Sequence, residues 1–322
     1  MTDIKRETAI DLAHVLPDSP LQQLQSPLLE RAGIQLYVKR DDLLHPLFGG
    51  NKWRKLKYNL HQAREQGHDT LLTFGGAWSN HIYATAAAGR HFGFKTIGII
   101  RGEKHTPLNA TLSFAEACGM QLQYINRQEY RRKNQSAYRE KLKQQFVNPY
   151  ILPEGGSNSL AVKGCAEIVH EIAIPFDVIC CACGTGATLA GIISAIAAEQ
   201  ATTKQTVQEK MAIGFSALKG GEFLAAEVAA FLNETDYSTT GSVADWHIES
   251  HYDFGGYAKI DDELKQFMQQ FETRYGITLD AVYTGKMFYG LFDLIKSGTF
   301  KPGTTIIAVH SGGLQGNKGF NL

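Results

Sequence analysis

The chain has few cysteines, no excess of either charge and no long apolar run. Five cysteines in 322 residues cannot supply the dense disulfide framework of a small secreted domain. Three of them crowd together as Cys180, Cys181 and Cys183, and the CxxC spacing of Cys180 and Cys183 has no second Cys/His pair nearby to close a tetrahedral zinc site. Buried, reduced strand cysteines are expected there, and no metal. Lys+Arg and Asp+Glu number 32 each, so no net field draws the chain to a nucleic acid or an anionic membrane. The basic stretch 127–143 is interrupted by Glu129 and Glu140 and spaced for the wet face of a helix. No apolar run approaches the roughly 18 residues of a membrane span. The opening residues, MTDIKRETAIDLAHVL, lack the apolar core of a signal peptide. A cytoplasmic location is therefore expected, with neither membrane nor nucleic acid as partner. No internal repeat or low-complexity tract is visible.

What the sequence does contain is an alternation of helices and strands. Trp53, Leu56, Leu60 and Ala63 recur at helical spacing, and Gly67 is placed to stop that helix. The segment 69–74 (DTLLTF) reads as a buried strand, 79–92 as a helix rich in small residues and 95–102 (KTIGIIRG) as the next strand. Thr106-Pro107 is read as the start of a helix that Gly119 closes, with Thr as N-cap and Pro at the first helical position. A strand at 120–125, the basic helix and PYILPEGG (149–156) complete this run. A second run follows: a helix near 160–172, the strand FDVICCAC (176–183), the helix 188–199, the strand 211–218 and a last central strand in TTIIAVHSGG (304–313). Apolar strands alternating with helices imply parallel sheets covered on both faces. The length suits two α/β lobes with a ligand cleft between them.

Several segments carry more glycine and polar residues than packing needs. Gly49-Gly50-Asn51-Lys52 puts a lysine after a tight turn at a helix start. Held there and partly desolvated, its amine would lose its proton easily enough to form an imine with an aldehyde; taken alone, such a lysine is usually a surface residue. FGGAWSNH (74–81) ends a strand in two glycines and opens a helix at Ser79, where free N–H groups suit a carboxylate or phosphate. Ser79 as a bare N-cap is the plainer alternative. CGTGATLAG (183–191) is again strand, glycine loop and helix, a plausible phosphate cradle. A dinucleotide loop there would need an acidic residue at the end of the next strand, and GFSALKG has none.

Five motifs in one order carry a resemblance: GGNK, GG-x-x-SNH, GTGAT, Tyr283-Thr284-Gly285-Lys286 and His310-Ser311-Gly312-Gly313. Over residues 20–320 the chain resembles the 1-aminocyclopropane-1-carboxylate (ACC) deaminase/D-cysteine desulfhydrase family of fold-type II enzymes that use pyridoxal 5′-phosphate (PLP). The resemblance implies a two-lobed α/β fold of open, twisted, mostly parallel sheets with helices on both faces. The expected division is a discontinuous large PLP-binding domain, 1–52 and 158–322, and a small α/β domain, 53–157, in a homodimer. Lys52 corresponds to the Schiff-base lysine and Asn51 to the residue beside the cofactor's phenolic oxygen. Gly184, Thr185, Gly186, Ala187 and Thr188 correspond to the phosphate loop. Ser79, Asn80 and His81 look like the substrate-carboxylate site, with Ser79 also near the reacting carbons, and Tyr283 and, by a looser match, Tyr257 look like active-site tyrosines.

Two positions bear on the reaction. Thr284 falls where ACC deaminases carry a Glu and D-cysteine desulfhydrases a hydroxyl residue; a hydroxyl beside the pyridine nitrogen suits loss of a good leaving group better than ring opening. Trp78 stands where the family usually has Gln, and Ile82-Tyr83 replaces a more polar pair, so the pocket is expected to suit a different small amino acid unless Trp78 only packs between the lobes. The leading expectation is a lyase giving pyruvate, ammonia and sulfide from D-cysteine. ACC deamination and a non-catalytic PLP-binding protein are the alternatives.

Overall fold

A computed structural model describes residues 16–202, 210–234, 244–320 and 322. The opening residues 1–15, including most of the segment searched for a signal peptide, lie outside that range. The chain builds two sheets. In the first half run β1 (Leu21–Leu24), α1 (Pro27–Ala32), β2 (Gln35–Lys39), α2 (Asn51–Glu65), β3 (Thr70–Gly75), α3 (Asn80–Phe92), β4 (Lys95–Arg101) and α4 (Ala110–Ala117). Then come β5 (Gln121–Ile125), α5 (Arg127–Tyr130), α6 (Ser136–Gln145), β6 (Tyr150–Ile151), α7 (Ser159–His170), β7 (Val178–Cys183) and α8 (Ala187–Thr202). The remainder is β8 (Met211–Ser216), α9 (Leu224–Asn233), β9 (Asp245–Glu249), α10 (Asp262–Tyr275), α11 (Thr284–Lys296) and β10 (Thr305–Val309).

The larger sheet has the order β1-β2-β10-β7-β8-β9, and only its edge pair β1–β2 is antiparallel. The smaller sheet, β5-β4-β3-β6, is parallel throughout. Strand period explains why the sequence shows apolar runs rather than alternation. Along β7, Val178, Cys180 and Ala182 enter the core beneath α10 and α11, while Ile179, Cys181 and Cys183 enter the core shared with α7 and α8. Both faces must therefore be apolar. The three cysteines are free and buried along that strand.

Two readings of helix ends are corrected. The helix after β4 is capped by Asn109, whose Oδ1 accepts from the Leu112 N–H at 2.9 Å, and it begins at Ala110 rather than at Thr106-Pro107. Asn109 satisfies the first-turn donor that Thr106 was expected to take. The basic stretch forms two short helices, α5 and α6, rather than one.

A buried ionic network fixes α2, the helix that carries Lys52. The Arg54 guanidinium binds both oxygens of Asp41, at 3.1 and 2.9 Å, and also Glu171. Lys39 reaches the same Glu171 and the Ser19 carbonyl, each at 2.6 Å. Burial alone would raise the Glu171 carboxyl, but Arg54 and Lys39 hold it below its ordinary value. The network ties α2 to β2 and α7, so the start of α2 has little freedom to move. Removing one member would strand a buried charge.

Candidate active site

The carboxyl ends of the parallel strands open onto a cavity of about 610 Å³ lined from both sheets. That position is where open α/β sheets bind ligands. Of the residues singled out in the sequence, Asn51, Lys52, Trp78, Ser79, Asn80, His81, Gly184, Thr185, Gly186, Thr188, Tyr257 and Tyr283 line this cavity. Ala187 begins α8 directly behind the glycine loop.

Lys52 sits in the first turn of α2 because Gly50 allows the chain to turn sharply. Gly50 has φ +70°, and a Cβ there would lie 2.0 Å from the Ser311 carbonyl oxygen. Burial, reinforced by the neighbouring Lys55 ammonium, lowers the Lys52 amine to about 7. Its Nζ donates to Asn51 Oδ1 at 3.0 Å, and Asn51 Nδ2 donates to Thr188 Oγ1 at 3.1 Å, so Asn51 links the lysine to the glycine loop.

At the loop, Gly186 has φ +82° and a Cβ there would press on Val228 at 3.1 Å. The loop feeds the start of α8, whose first N–H groups have no partner within the helix. Facing it is Lys55, which sequence reasoning passed over: its Nζ donates to Thr185 Oγ1 at 3.1 Å and Ser157 Oγ at 3.3 Å. Lys55 is one helical turn beyond Lys52, a spacing that alone would have put both on one face. Lys57 is elsewhere, paired with Glu167 at 2.8 Å.

The third wall is the turn from β3 into α3. Ser79 caps the helix, accepting from the Ile82 N–H at 3.2 Å. Asn80 Oδ1 accepts from Gln315 Nε2 at 2.7 Å, a contact from the far C-terminus with no sequence signal. His81 is buried, with Nε2 2.8 Å from Thr73 Oγ1 and Nδ1 without a partner among the described residues. Burial first, then the Lys52 and Lys55 charges, push its pKa well below the ordinary value, so it is neutral. Trp78 lies at the rim, 42% exposed, with its ring over Gly319.

Tyr257 and Tyr283 meet with ring centroids 6.2 Å apart. Tyr257 lies in a tight loop flanked by Phe254 and Ala258, both at positive φ (51° and 55°). Lys286 holds that loop by donating to the Asp253 and Gly256 carbonyls, each at 2.7 Å. Burial raises both tyrosine hydroxyls, Tyr283 well above its ordinary value, so both stay protonated.

Thr284 is the exception. It is fully buried and does not reach the cavity wall. Its Oγ1 donates to Asp280 Oδ2 at 2.9 Å and accepts the Asp280 N–H at 2.8 Å. Asp280 also takes the N–H groups of Val282, Tyr283 and Thr284. With its one proton given to that carboxylate, the hydroxyl has none left for a pyridine nitrogen.

The family model for pyridoxal-phosphate dependent enzymes matches residues 15–312, and the chain belongs to that family. The mitochondrial bifunctional D-cysteine desulfhydrase/1-aminocyclopropane-1-carboxylate deaminase of Arabidopsis thaliana is 32% identical over 325 residues, covering 95% of this chain and 78% of its own. The D-cysteine desulfhydrase of Yersinia enterocolitica is 27% identical over 308 residues, covering 92% and 91%. A solved ACC deaminase homologue superposes with a TM-score of 0.80 at 30% identity, covering 95% of this chain and 92% of the other.

The residues present fit PLP. An aldehyde needs an amine that is unprotonated near neutrality, and Lys52 has one. A phosphate needs N–H donors, a hydroxyl, a cation and no intruding side chain; the Gly184–Thr188 loop and Lys55 offer these together.

Proposed function

We propose that the protein is a PLP-dependent lyase that removes the amine and a β-substituent from a small amino acid, in the manner of a D-cysteine desulfhydrase. The observation that carries this reading is one cavity holding a neutral-capable Lys52 opposite two protonated tyrosines. When bound, PLP withdraws electrons from the α-carbon of an amino acid joined to it, which acidifies the α-proton. Lys52 would attach the cofactor and, once displaced by substrate, its amine accepts that proton. The loop Gly184–Thr188, with Lys55, holds the phosphate, and Asn51 orients Lys52 and contacts the ring. The α3 N-terminus, with Ser79, Asn80 and the His81 N–H, receives the α-carboxylate. Tyr283, with Tyr257 against it, delivers a proton to the departing β-group. Trp78 bounds the substrate at the rim.

Deamination of ACC is the second reading, and a specific observation keeps it: the Thr284 hydroxyl is engaged by Asp280, so position 284 no longer selects between the branches. The discontinuous large domain (1–52 and 158–322), the small domain (53–157), a homodimer and a cytoplasmic location belong to the same proposal. In support, β2 and β7–β10 share one sheet while β3–β6 share the other. No helix among the described residues is long and apolar enough to cross a membrane.

The test is a screen of D- and L-cysteine, β-chloroalanine, D-serine and ACC for pyruvate or 2-oxobutyrate. Pyruvate from D-cysteine or β-chloroalanine supports the first reading. Efficient 2-oxobutyrate formation from ACC moves the assignment to the second. A cofactor-loaded protein inert to all of them contradicts both.

A further inference from the structure

Four charged side chains line the cavity: Lys52, Lys55, Arg101 and Glu154. The two lysines belong to the cofactor end. Glu154 is already neutralised, with Lys133 at 3.3 Å and the Tyr130 hydroxyl donating at 2.8 Å. Arg101 is different. It is the last residue of β4, and among the described residues it has no carboxylate partner within ion-pair distance. The side chain is exposed at the mouth of the cavity. It lies over the Tyr130 ring, 5.6 Å from the centroid, and Tyr130 is itself buried and anchored by Glu154.

Its position is informative. A Cβ on Gly76 would lie 3.4 Å from Arg101 Nη2, so the guanidinium stands over the turn that leads into Ser79 and Asn80. In the sheet β4 flanks β3 on the side away from β6, whose exit carries the Gly155–Ser157 loop that meets Thr185 and Lys55. Arg101 thus addresses the substrate side of the cavity. The α3 N-terminus supplies donors for one carboxylate there, and the Arg101 guanidinium at the mouth has no ion-pair partner among the described residues. The rest of the rim, Leu47, Trp78, Phe223 and Tyr257, is apolar or aromatic and partly exposed.

We infer that Arg101 is a specificity residue for a second anionic group on the substrate, and that the preferred amino acid carries a sulfonate or similar oxyanionic leaving group on its β-carbon. A guanidinium binds such a group in two parallel hydrogen bonds. The inference rests on the lyase reading above. With a β-sulfonate the chemistry balances without an oxidant or reductant: the α-proton goes to the Lys52 amine, the C–H pair becomes the Cα=Cβ bond, and the Cβ–S pair leaves with sulfite. Water then converts the resulting enamine to pyruvate and ammonia.

The test pairs charge with its neutral isostere on the holoenzyme. Aspartate and asparagine, in both enantiomers, are measured as inhibitors of pyruvate formation from β-chloroalanine, and cysteate is measured as a substrate. Aspartate should inhibit at least tenfold more strongly than asparagine, and Arg101→Gln should erase that difference while Arg101→Lys keeps part of it. Arg101→Gln should also raise KM for cysteate at least tenfold, with KM for β-chloroalanine within twofold. Equal inhibition by aspartate and asparagine in the unmodified enzyme overturns the inference. So does an equal loss for all substrates in Arg101→Gln, which would place Arg101 on the shared α-carboxylate. Failure of β-chloroalanine itself to give pyruvate is a separate result, and sinks the lyase reading instead.

Discussion

The depressed amine of Lys52 can be measured without any turnover. Burial and the adjacent Lys55 bring it to about 7, whereas an ordinary lysine titrates near 10.4. The two cases differ in the shape of their pH dependence. With a midpoint of 7, the neutral fraction rises from about 9% at pH 6 to about 91% at pH 8 and then levels off, a gain of roughly tenfold. An ordinary lysine gains roughly 100-fold over the same interval and keeps rising about tenfold per unit toward pH 10. The assay is brief acetylation of the cofactor-free protein across pH 5.5 to 9.5, read lysine by lysine by peptide mass spectrometry. Lys52 should level off above pH 8. A Lys52 curve that climbs without levelling through pH 9.5 would refute the desolvation argument.

The same shift links to stability. Between about 7 and 10.5 the folded apoprotein binds fewer protons at this site than the unfolded chain, so its stability rises with pH across that window. Lys52→Met has no amine to titrate there; its apoprotein should melt above the parent at pH 7, with the gap closing toward pH 10 in a thermal-shift series. Gly186→Asp, at φ +82°, sets a side chain against Val228 and distorts the loop proposed to hold the phosphate. PLP affinity by equilibrium titration should fall at least tenfold, and retention within threefold would count against the loop. Lys55→Ala should weaken PLP binding without abolishing covalent attachment, whereas Lys57→Ala, whose lysine pairs with Glu167, should change neither. Arg54→Ala leaves Asp41 buried and unpaired; urea denaturation should register a loss of about 3–5 kcal/mol, and a loss under 1 kcal/mol would show that the network does not anchor α2.

Much of this architecture was legible because local rules and the fold agree. The apolar run 178–183 is unambiguous once both faces of its sheet are covered, and the Gly-to-helix turns mark the strand ends that line the cavity. Ser79 is at once a helix cap and a wall of the cavity, so the cap reading leaves its place at the site open. What was hidden depends on distant contacts. Thr284 matched by position, but its orientation is set by Asp280, four residues earlier, which collects three backbone N–H groups and the hydroxyl. Gln315 meets Asn80 across 235 residues. Arg101 read as an ordinary strand end, and only the order of strands in the smaller sheet puts it beside the β3 turn. The helix near residue 106 was misplaced because two capping residues stood three apart and the later one holds the cap.

The proposed function depends on Lys52 holding the cofactor. Borohydride reduction of the purified holoenzyme followed by peptide mapping tests it directly, since reduction makes the attachment permanent. A pyridoxyl mass should fall on Lys52, at the start of α2, and on no other lysine. A pyridoxyl mass on Lys55, or none on the 51–65 helix, would contradict it.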